Sequence, residues 1–563
     1  MPTAAQLSRL AWTVRYLKAQ QIAGQVRRRL RRPLARYEKA EGQAAADYPG
    51  CRWPIDVQFL PPGPQINTAA SLRQGHMTFL NRTEITGFPP RWQCPERPKL
   101  WQYNLHYFEW LWPLDYDNAR AVVLDWVANH RPSGEAVGWE SYPTSLRLVN
   151  WCAVFFGRFR KNAEADASFL EMLWRSVHRQ TAWLSHRLET HLLGNHYFEN
   201  AAAVAFVGSC FAGADARKWF ERGWAILDEQ LREQILPDGV HFERSPMYHS
   251  RAVYVLALLM ATDDRRVKAL VAEPLTRMAR ALTCLCHPDG KIALLNDSAF
   301  GIYNEPHELT AFCHRLWGVG HPQEETESGC FGLADAGYYG WRDQQGNYLI
   351  CDYGRIGPDY IPGHAHADMF SYELSLCGHR VIVDAGVHDY EVSETRRYCR
   401  STAAHNTVEV EGRDQCEMWG AFRVAQRGYP REVVWEPEES GFSLAGWHDG
   451  YRRLPGRPVH HRTMQWDAKG RLTVKDSVSA SQPVEAVSRV HLHPACGVEH
   501  TGANRVRVRY PGGQFDVVWC DGDLEMEEGQ YFPAFGIRQS NTVLTFRRKG
   551  MAIELVYHIQ NIR

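Results

Sequence analysis

No run of about 18 apolar residues occurs anywhere in this 563-residue chain, so a membrane-spanning helix is not expected. The first stretch also lacks the apolar segment that drives secretion, and the expectation is a cytoplasmic protein ahead of a periplasmic one. Charge of one sign is not in excess: 64 Lys and Arg face 64 Asp and Glu. A balanced chain has no global field to draw nucleic acid, which is not expected as a partner. The 14 cysteines are scattered, with Cys284 and Cys286 the one close pair. That is no disulfide framework, and buried free thiols in a reducing compartment are the reading. Repeats of fixed period and low-complexity tracts are absent as well.

Aromatics are plentiful: 20 Trp, 24 Tyr and 23 Phe, enough both to fill large cores and to stack on sugar rings. At 563 residues the chain is too long for one ordinary core. Residues 1–95 read as a mixed N-terminal arm. It carries an amphipathic stretch (Leu10, Val14, Leu17, Ile22) followed by a basic cluster, Arg27 to Arg29, Arg31 and Arg32. That pattern fits a solvated helix face or a contact with anionic lipid. Over 96–330 the period is helical: Leu170, Leu173, Trp174, Val177, Thr181, Leu184 and Leu188 share one face. Similar segments recur at 119–130, 144–160, 198–212, 215–236, 247–262 and 265–286, as expected for helical hairpins, stacked or closed into a ring. Over 331–563 the period becomes two. Phe370, Tyr372, Leu374 and Leu376 alternate with Ser371, Glu373 and Ser375, and strand-like runs continue to the C-terminus. The fold class is a multi-domain α+β chain, helices first and a sheet sandwich after.

Polar knots punctuate the helical half where helices begin or end. One holds Trp101, Asn104 and His106; another runs from Trp139 through Tyr142 to Arg147. A third is Asn195-His196-Tyr197 with Glu199, and a fourth spans Asp238 to His249 and includes Glu243 and Tyr248. Each sets His, Asn, Tyr or Arg beside aromatics, where loops of a ring could converge on one mouth. Asn195 and Ser245 are also ordinary helix-capping residues. In the strand half, His364 and His366 lie one residue apart, Asp384 follows a β-like run, and His405 precedes another. Imidazole and carboxylate together suit zinc better than magnesium or calcium. On a strand the two histidines would share a face; on a loop they could diverge, one to a metal and one to a substrate.

Asn195-His196-Tyr197, Ser245-Pro246-Met247-Tyr248-His249, Gly363-His364-Ala365-His366-Ala367-Asp368 and Ala404-His405-Asn406-Thr407 resemble signatures of the heparinase II/III family of polysaccharide lyases. The resemblance covers roughly 95–560. Around 363–424 it is similar to members encoded with bacterial surface-polysaccharide genes. It implies an N-terminal incomplete (α/α) toroid followed by a C-terminal antiparallel β-sandwich, with the site between them. It implies β-elimination on a uronate-containing glycan: Asn195 neutralises the uronate carboxylate, His196 and Tyr248 serve as base and acid in an order left open, and His364 closes the site from the sandwich. His366, Asp384 and His405 would hold a structural zinc, with Asp368 as an exchangeable ligand. Asn104, His106, Tyr142, Arg147, Glu199, Glu243 and Arg397 are the candidate contacts to an anionic polysaccharide or oligosaccharide, and Arg396 and Arg400 are further candidate clamps.

Two other readings use the same scaffold. A C5-epimerase would abstract the same proton and return it to the opposite face. A glycoside hydrolase would need two carboxylates flanking the bond, for which Glu199 and Glu243 are the nearest candidates. A glycan-binding protein without chemistry would have no use for a proton-transfer set.

Overall fold

The computed structural model describes residues 3–30, 47–133, 136–317 and 328–560. Arg31 and Arg32 of the basic cluster lie outside the described residues. Two helices open the chain, α1 (Ala4–Arg15) and α2 (Ala19–Leu30). A short hairpin of His76–Phe79 with Arg82–Ile85 follows.

From Lys99 to Trp317 the described elements are helices. Ala167–Ser185 shows the cause. Asp166 caps it by accepting from Phe169 N at 3.1 Å, and the predicted face of Leu170, Leu173, Trp174, Val177, Thr181 and Leu184 is buried. Two helices, Gly194–Cys210 and Pro246–Ala261, are buried on almost every side and form the centre of the helical half. The first packs so tightly on Ala214–Gln234 that a Cβ at Gly208 would fall 2.4 Å from Phe220 N. The N-termini of these two central helices carry Asn195 and Tyr248.

Strands take over at Gly329. Five of them, Gly329–Leu333, Tyr338–Arg342, Tyr348–Asp352, Tyr372–Leu376 and His379–Ile382, form an antiparallel meander. A ten-stranded antiparallel sheet faces it. Its path runs Pro430–Glu438, Gly441–His448, Val459–Trp466, Leu472–His491, Gln539–Gln560, Gly513–Trp519, Arg505–Tyr510 and Gly497–Gly502, with Val408–Val410 and Asp523–Tyr531 pairing off it. Tyr372 and Leu374 from the small sheet, with Phe370 from the turn before them, meet Leu444, Met464, Val474 and Tyr557 from the large one in a shared core. The architecture is an incomplete helical toroid followed by an antiparallel sandwich.

The polar members of the alternation in Tyr372–Leu376 do not face water. Ser375 Oγ bonds His287 Nδ1 (2.7 Å), and Glu373 bonds His287 Nε2 (2.9 Å) and accepts from Leu294 N (3.1 Å). One face of the small sheet is thus a buried polar seam against the segment that follows helix Arg265–Cys284. That seam fixes the height at which the sandwich loops meet the central helix ends.

Candidate active site

Helix Gly194–Cys210 starts without a side-chain cap from its own N-cap position, since Leu193 stands there with φ of 66°. Glu243, from the loop before helix Pro246–Ala261, does the capping: its Oε1 accepts from Asn195 N at 2.9 Å. Glycine suits position 194, where φ is 55° and a Cβ would sit 2.7 Å from both Glu243 Oε1 and Ile361 Cδ1. Asn195 is in the first turn and not at the cap position, and its amide bridges toward the sandwich. Its Nδ2 lies 3.2 Å from Glu243 Oε2 and 3.2 Å from His364 Nε2, and its Oδ1 is buried without a partner. Ser245 does cap its helix, accepting from Tyr248 N at 3.3 Å, with Pro246 in the first turn. This presents Tyr248 to the same spot: its ring stacks on His364 at 3.8 Å between centroids, and its hydroxyl lies 3.1 Å from that of Tyr390.

His364 and His366 stand on a loop, and they diverge around one anchor. Asp297 Oδ2 bonds His364 Nδ1 (2.9 Å) and its Oδ1 bonds His366 Nε2 (2.8 Å), while Arg396 forks onto both oxygens. The backbone is tied as well, Asp297 N to His364 O and His366 N to Asn296 Oδ1, each 3.0 Å. Burial opposes the charge on Asp297, but Arg396 and the two imidazoles more than offset it and hold its pKa well below the usual carboxylate range. The tautomer of His364 that satisfies both neighbours carries its proton on Nδ1 and turns the Nε2 lone pair to Asn195.

His196 is the most open member, its side chain 31% exposed, with Tyr142 against it at 4.4 Å between ring centroids. Its Nδ1 lies 3.2 Å from Glu189 Oε1, an ion-pair distance without hydrogen-bond alignment. Burial pulls the imidazole pKa down, but the Glu189 carboxylate outweighs it and the net shift is upward. Burial raises Glu243 above the usual range and pushes the Tyr248 phenol well above its ordinary value.

Tyr142 and Tyr248, with Tyr107, Tyr303, Tyr390, Asn104 and Glu109, form one wall of an open cleft. The opposite side is built by the Pro62–Asn67 loop, Phe79, Leu80 and Phe535. Of the four candidate catalytic residues Tyr248 lines the cleft directly, and Asn195 and His364 stand behind its ring.

Several expected contacts to substrate are corrected. His106 is buried, accepts from Trp126 Nε1 (3.2 Å) and is held neutral by burial. Arg147 is fully buried with its guanidinium 4.1 Å above Trp126, donating to Gln180 Oε1 (2.7 Å), His106 O (3.3 Å) and Thr144 Oγ1 (3.3 Å). Both belong to the helical core. Glu199 is bound by Arg251 at 2.5 and 3.2 Å, and it lies outside the cleft wall. Arg397 is a surface residue 3.5 Å from Glu394. Arg396 and Arg400 are buried and serve loop carbonyls and Asp297, so neither is a free clamp.

Sequence reasoning missed Asp297, Tyr390, Tyr303, Glu189 and Gln21. Gln21, 3% exposed on α2, donates from Nε2 to Leu192 O and to Tyr360 O, both at 3.1 Å. Leu192 precedes Asn195 by three residues and Tyr360 precedes His364 by four, so one side chain clasps the two loops that bring the site together.

Behind His364, the ligand-type atoms of His366, Asp384 and His405 lie within 4.8 Å of one another, all buried. Asp384 Oδ2 bonds His405 Nδ1 (2.7 Å), while His366 Nδ1 and His405 Nε2 have no hydrogen-bond partner. Burial lowers the His366 pKa to about 3, so this ring offers a lone pair. Two orphaned imidazole nitrogens beside a carboxylate, with Asp297 holding the far nitrogen of His366, form a donor set that fits a zinc ion.

Two family models match this chain and between them take in both halves: the heparinase II/III N-terminus over residues 98–307 and the heparinase II/III-like C-terminal domain over 326–558. The chain belongs to the heparinase II/III family. Among curated proteins, a heparin-sulfate lyase of Pedobacter heparinus is 25% identical over 290 residues, which is 46% of this chain and 42% of the relative. The chain spans less than half the length of the curated relatives it matches. Among solved structures, a heparinase III superposes with a TM-score of 0.69 at 17% identity, over 84% of this chain and 79% of that one. A mutant heparan sulfate lyase from Pedobacter heparinus gives 0.64 at 19% identity, over 94% and 87%. These likenesses carry the heparinase II/III fold. Both family models begin after the arm of α1 and α2, so Gln21 lies outside them.

Proposed function

We propose that this heparinase II/III protein is a polysaccharide lyase that cleaves a uronate-containing glycan by β-elimination. The observation that carries this is the meeting of Asn195 and Tyr248, from the two central helix ends, with His364 from the sandwich. Removing the C5 proton of a uronate builds charge on an adjacent carboxylate, which must be neutralised. Asn195 Nδ2 is the candidate donor for that carboxylate, which would take over one of the two hydrogen bonds Nδ2 now makes to Glu243 and His364. Glu243 accepts from Asn195 N and Nδ2 and holds that amide in place. Tyr248 keeps its phenol proton because it is buried and suits the role of donor to the departing oxygen, with the Tyr390 hydroxyl 3.1 Å away to return it. His196, backed by Glu189, is the base. His364, held by Asp297, fixes the ring of Tyr248 and the amide of Asn195 together.

Hydrolysis has less support. Glu199 is neutralised by Arg251 and Glu243 is fixed beneath Asn195, so no pair of free carboxylates flanks the cleft.

His366, Asp384 and His405 would hold zinc, and the ion would pin the loop that carries His364, serving structure and not bond cleavage. The curated relatives are named for heparin sulfate, which puts heparan sulfate first in a panel of uronate polymers. The test is ultraviolet absorbance of the conjugated C4–C5 double bond during incubation. A rise that Tyr248→Phe abolishes is the expected result. Shortened chains without that absorbance would overturn the proposal in favour of hydrolysis, and proton exchange at C5 without shortening in favour of epimerisation.

A further inference from the structure

The arm of α1 and α2 is turned inside out. An amphipathic helix on a globular protein buries its apolar stripe and shows its polar face to water. Here the polar and aromatic side packs inward. Arg9 bonds Glu417 Oε1 (2.8 Å), Trp419 Nε1 donates to Thr13 Oγ1 (3.2 Å), and the Arg427 guanidinium stacks 3.9 Å over Tyr16. On α2, Gln21 and Gly24 face the toroid, and a Cβ at Gly24 would sit 2.8 Å from His191 N. The apolar residues point away. Leu7, Leu10 and Val14, at helical spacing on α1, are 52, 47 and 45% exposed, and Ile22 and Val26 on α2 are 46 and 50% exposed. Five of the thirteen large hydrophobic side chains exposed among the described residues fall on these two helices.

The sequence of this arm carries charge of one sign: residues 1–37 contain nine Arg or Lys and no Asp or Glu, in a chain whose totals are equal. Arg9 and Lys18 pair inward with Glu417 and Glu233, and Arg15 is exposed on α1. Arg27 and Arg29 are exposed beside Val26 at the end of α2, with Arg28 against His191 Nε2 at 3.0 Å. Leu, Val and Ile on one face, with arginines and no carboxylate, match the interfacial region of an anionic bilayer. A solvated helix face explains the arginines but not the outward leucines. No helix among the described residues is long and apolar enough to cross a membrane, so the mode is lying on the surface.

We propose that α1 and α2 dock this protein on an anionic phospholipid surface, apolar stripe inward to the acyl boundary and arginines at the headgroups. The inner side of the same helices clasps the loops of Asn195 and His364 through Gln21. Docking would therefore hold the junction of toroid and sandwich about one helix diameter, 10 Å, from the lipid, within reach of a polymer at the membrane.

The experiment is co-sedimentation of the full chain with vesicles of phosphatidylglycerol and phosphatidylcholine, against vesicles of phosphatidylcholine alone. Binding to the anionic vesicles, weakened by salt, is expected. Two variants separate the contributions: Leu10→Asp with Val14→Asp, and Arg27→Glu with Arg29→Glu, which leaves the Arg28–His191 contact in place. Each should lower the partition coefficient about tenfold or more, with an unchanged melting temperature because the altered side chains are exposed. Absence of wild-type binding to anionic vesicles, or equal binding by both variants, would overturn the proposal. So would a wild-type dimer in light scattering that Leu10→Asp with Val14→Asp converts to monomer, since the stripe would then belong to a second copy of this chain.

Discussion

Two polar clusters, each with two histidines and a side-chain amide, meet opposite fates in this protein. One, built from His106, Arg147, His130 and Gln180, is sealed inside the toroid. The other, built from Asn195, His196, Tyr248 and His364, sits at the junction with the sandwich. In the sealed knot Arg147 donates to a side-chain amide, a hydroxyl and a carbonyl above the Trp126 ring, and His106 accepts from the same tryptophan. At the junction Asn195 Oδ1 and His196 Nδ1 are left without hydrogen bonds, and Tyr248 opens on the cleft. Residue type does not separate the two knots. What separates them is whether the polar groups find partners within their own domain.

Substitutions in the two knots should therefore fail in different ways. At the junction, Tyr248→Phe and His364→Ala should each cost about 10²- to 10⁴-fold in turnover, with the unfolding transition unmoved; steady-state rates beside a thermal melt check both. In the sealed knot, Arg147→Met should spare the turnover of folded enzyme but destabilise the helical half by about 3 kcal/mol, through the acceptors left unpaired. Tryptophan fluorescence during denaturant unfolding reports it, since Trp126 lies beneath the guanidinium. His405→Ala should lose bound zinc by elemental analysis. The stability lost with it is about 2.7 kcal/mol when free metal stands at a hundred times its dissociation constant. Unchanged metal content and melting temperature would remove the zinc assignment.

The pH profile sharpens the contrast further. If His196 is the base it works unprotonated, so activity should rise as pH passes upward through its pKa. Burial lowers that pKa and Glu189 more than restores it, placing the acidic limb above the ordinary histidine value of about 6.5. Glu189→Gln removes the counter-charge, lets burial dominate and should move the limb to lower pH. An unmoved limb would assign the base elsewhere.

Much of this arrangement was legible in the chain. The period of 3.6 located the helix face Leu170 to Leu184, and alternation located Tyr372–Leu376. The motif residues Asn195, Tyr248 and His364 do converge, because helix starts and sandwich loops were where the polar knots stood. Arg147 and His106 were misread because a sequence shows a guanidinium beside aromatics without showing which way it points. Asp297 left a faint signal, the polar Asn296-Asp297-Ser298 closing the apolar run Ile292–Leu295. Its role needs partners at residues 364, 366 and 396, far along the chain. Gln21 left no signal, since one of three glutamines in an arginine-rich helix looks solvated.

That glutamine supports the smallest of the expected effects and the most specific to this chain. Its two hydrogen bonds join a toroid carbonyl to a sandwich carbonyl, and Lys18 reinforces the second loop with its ammonium 4.0 Å over the Tyr360 ring. Gln21→Ala should lower kcat about five- to tenfold, about 1 kcal/mol and the size of one net hydrogen bond, by loosening the approach of His364 to Asn195. KM should stay within twofold, because Asn104 and the cleft tyrosines are untouched. Gln21→Glu is the sharper control: it keeps the volume but replaces the amide donor with an acceptor facing two carbonyls, so it should be no better than alanine. If glutamate restores wild-type kcat, the side chain fills space and does not clasp. If KM rises with kcat unchanged, the arm acts on substrate binding and not on the register of the two loops.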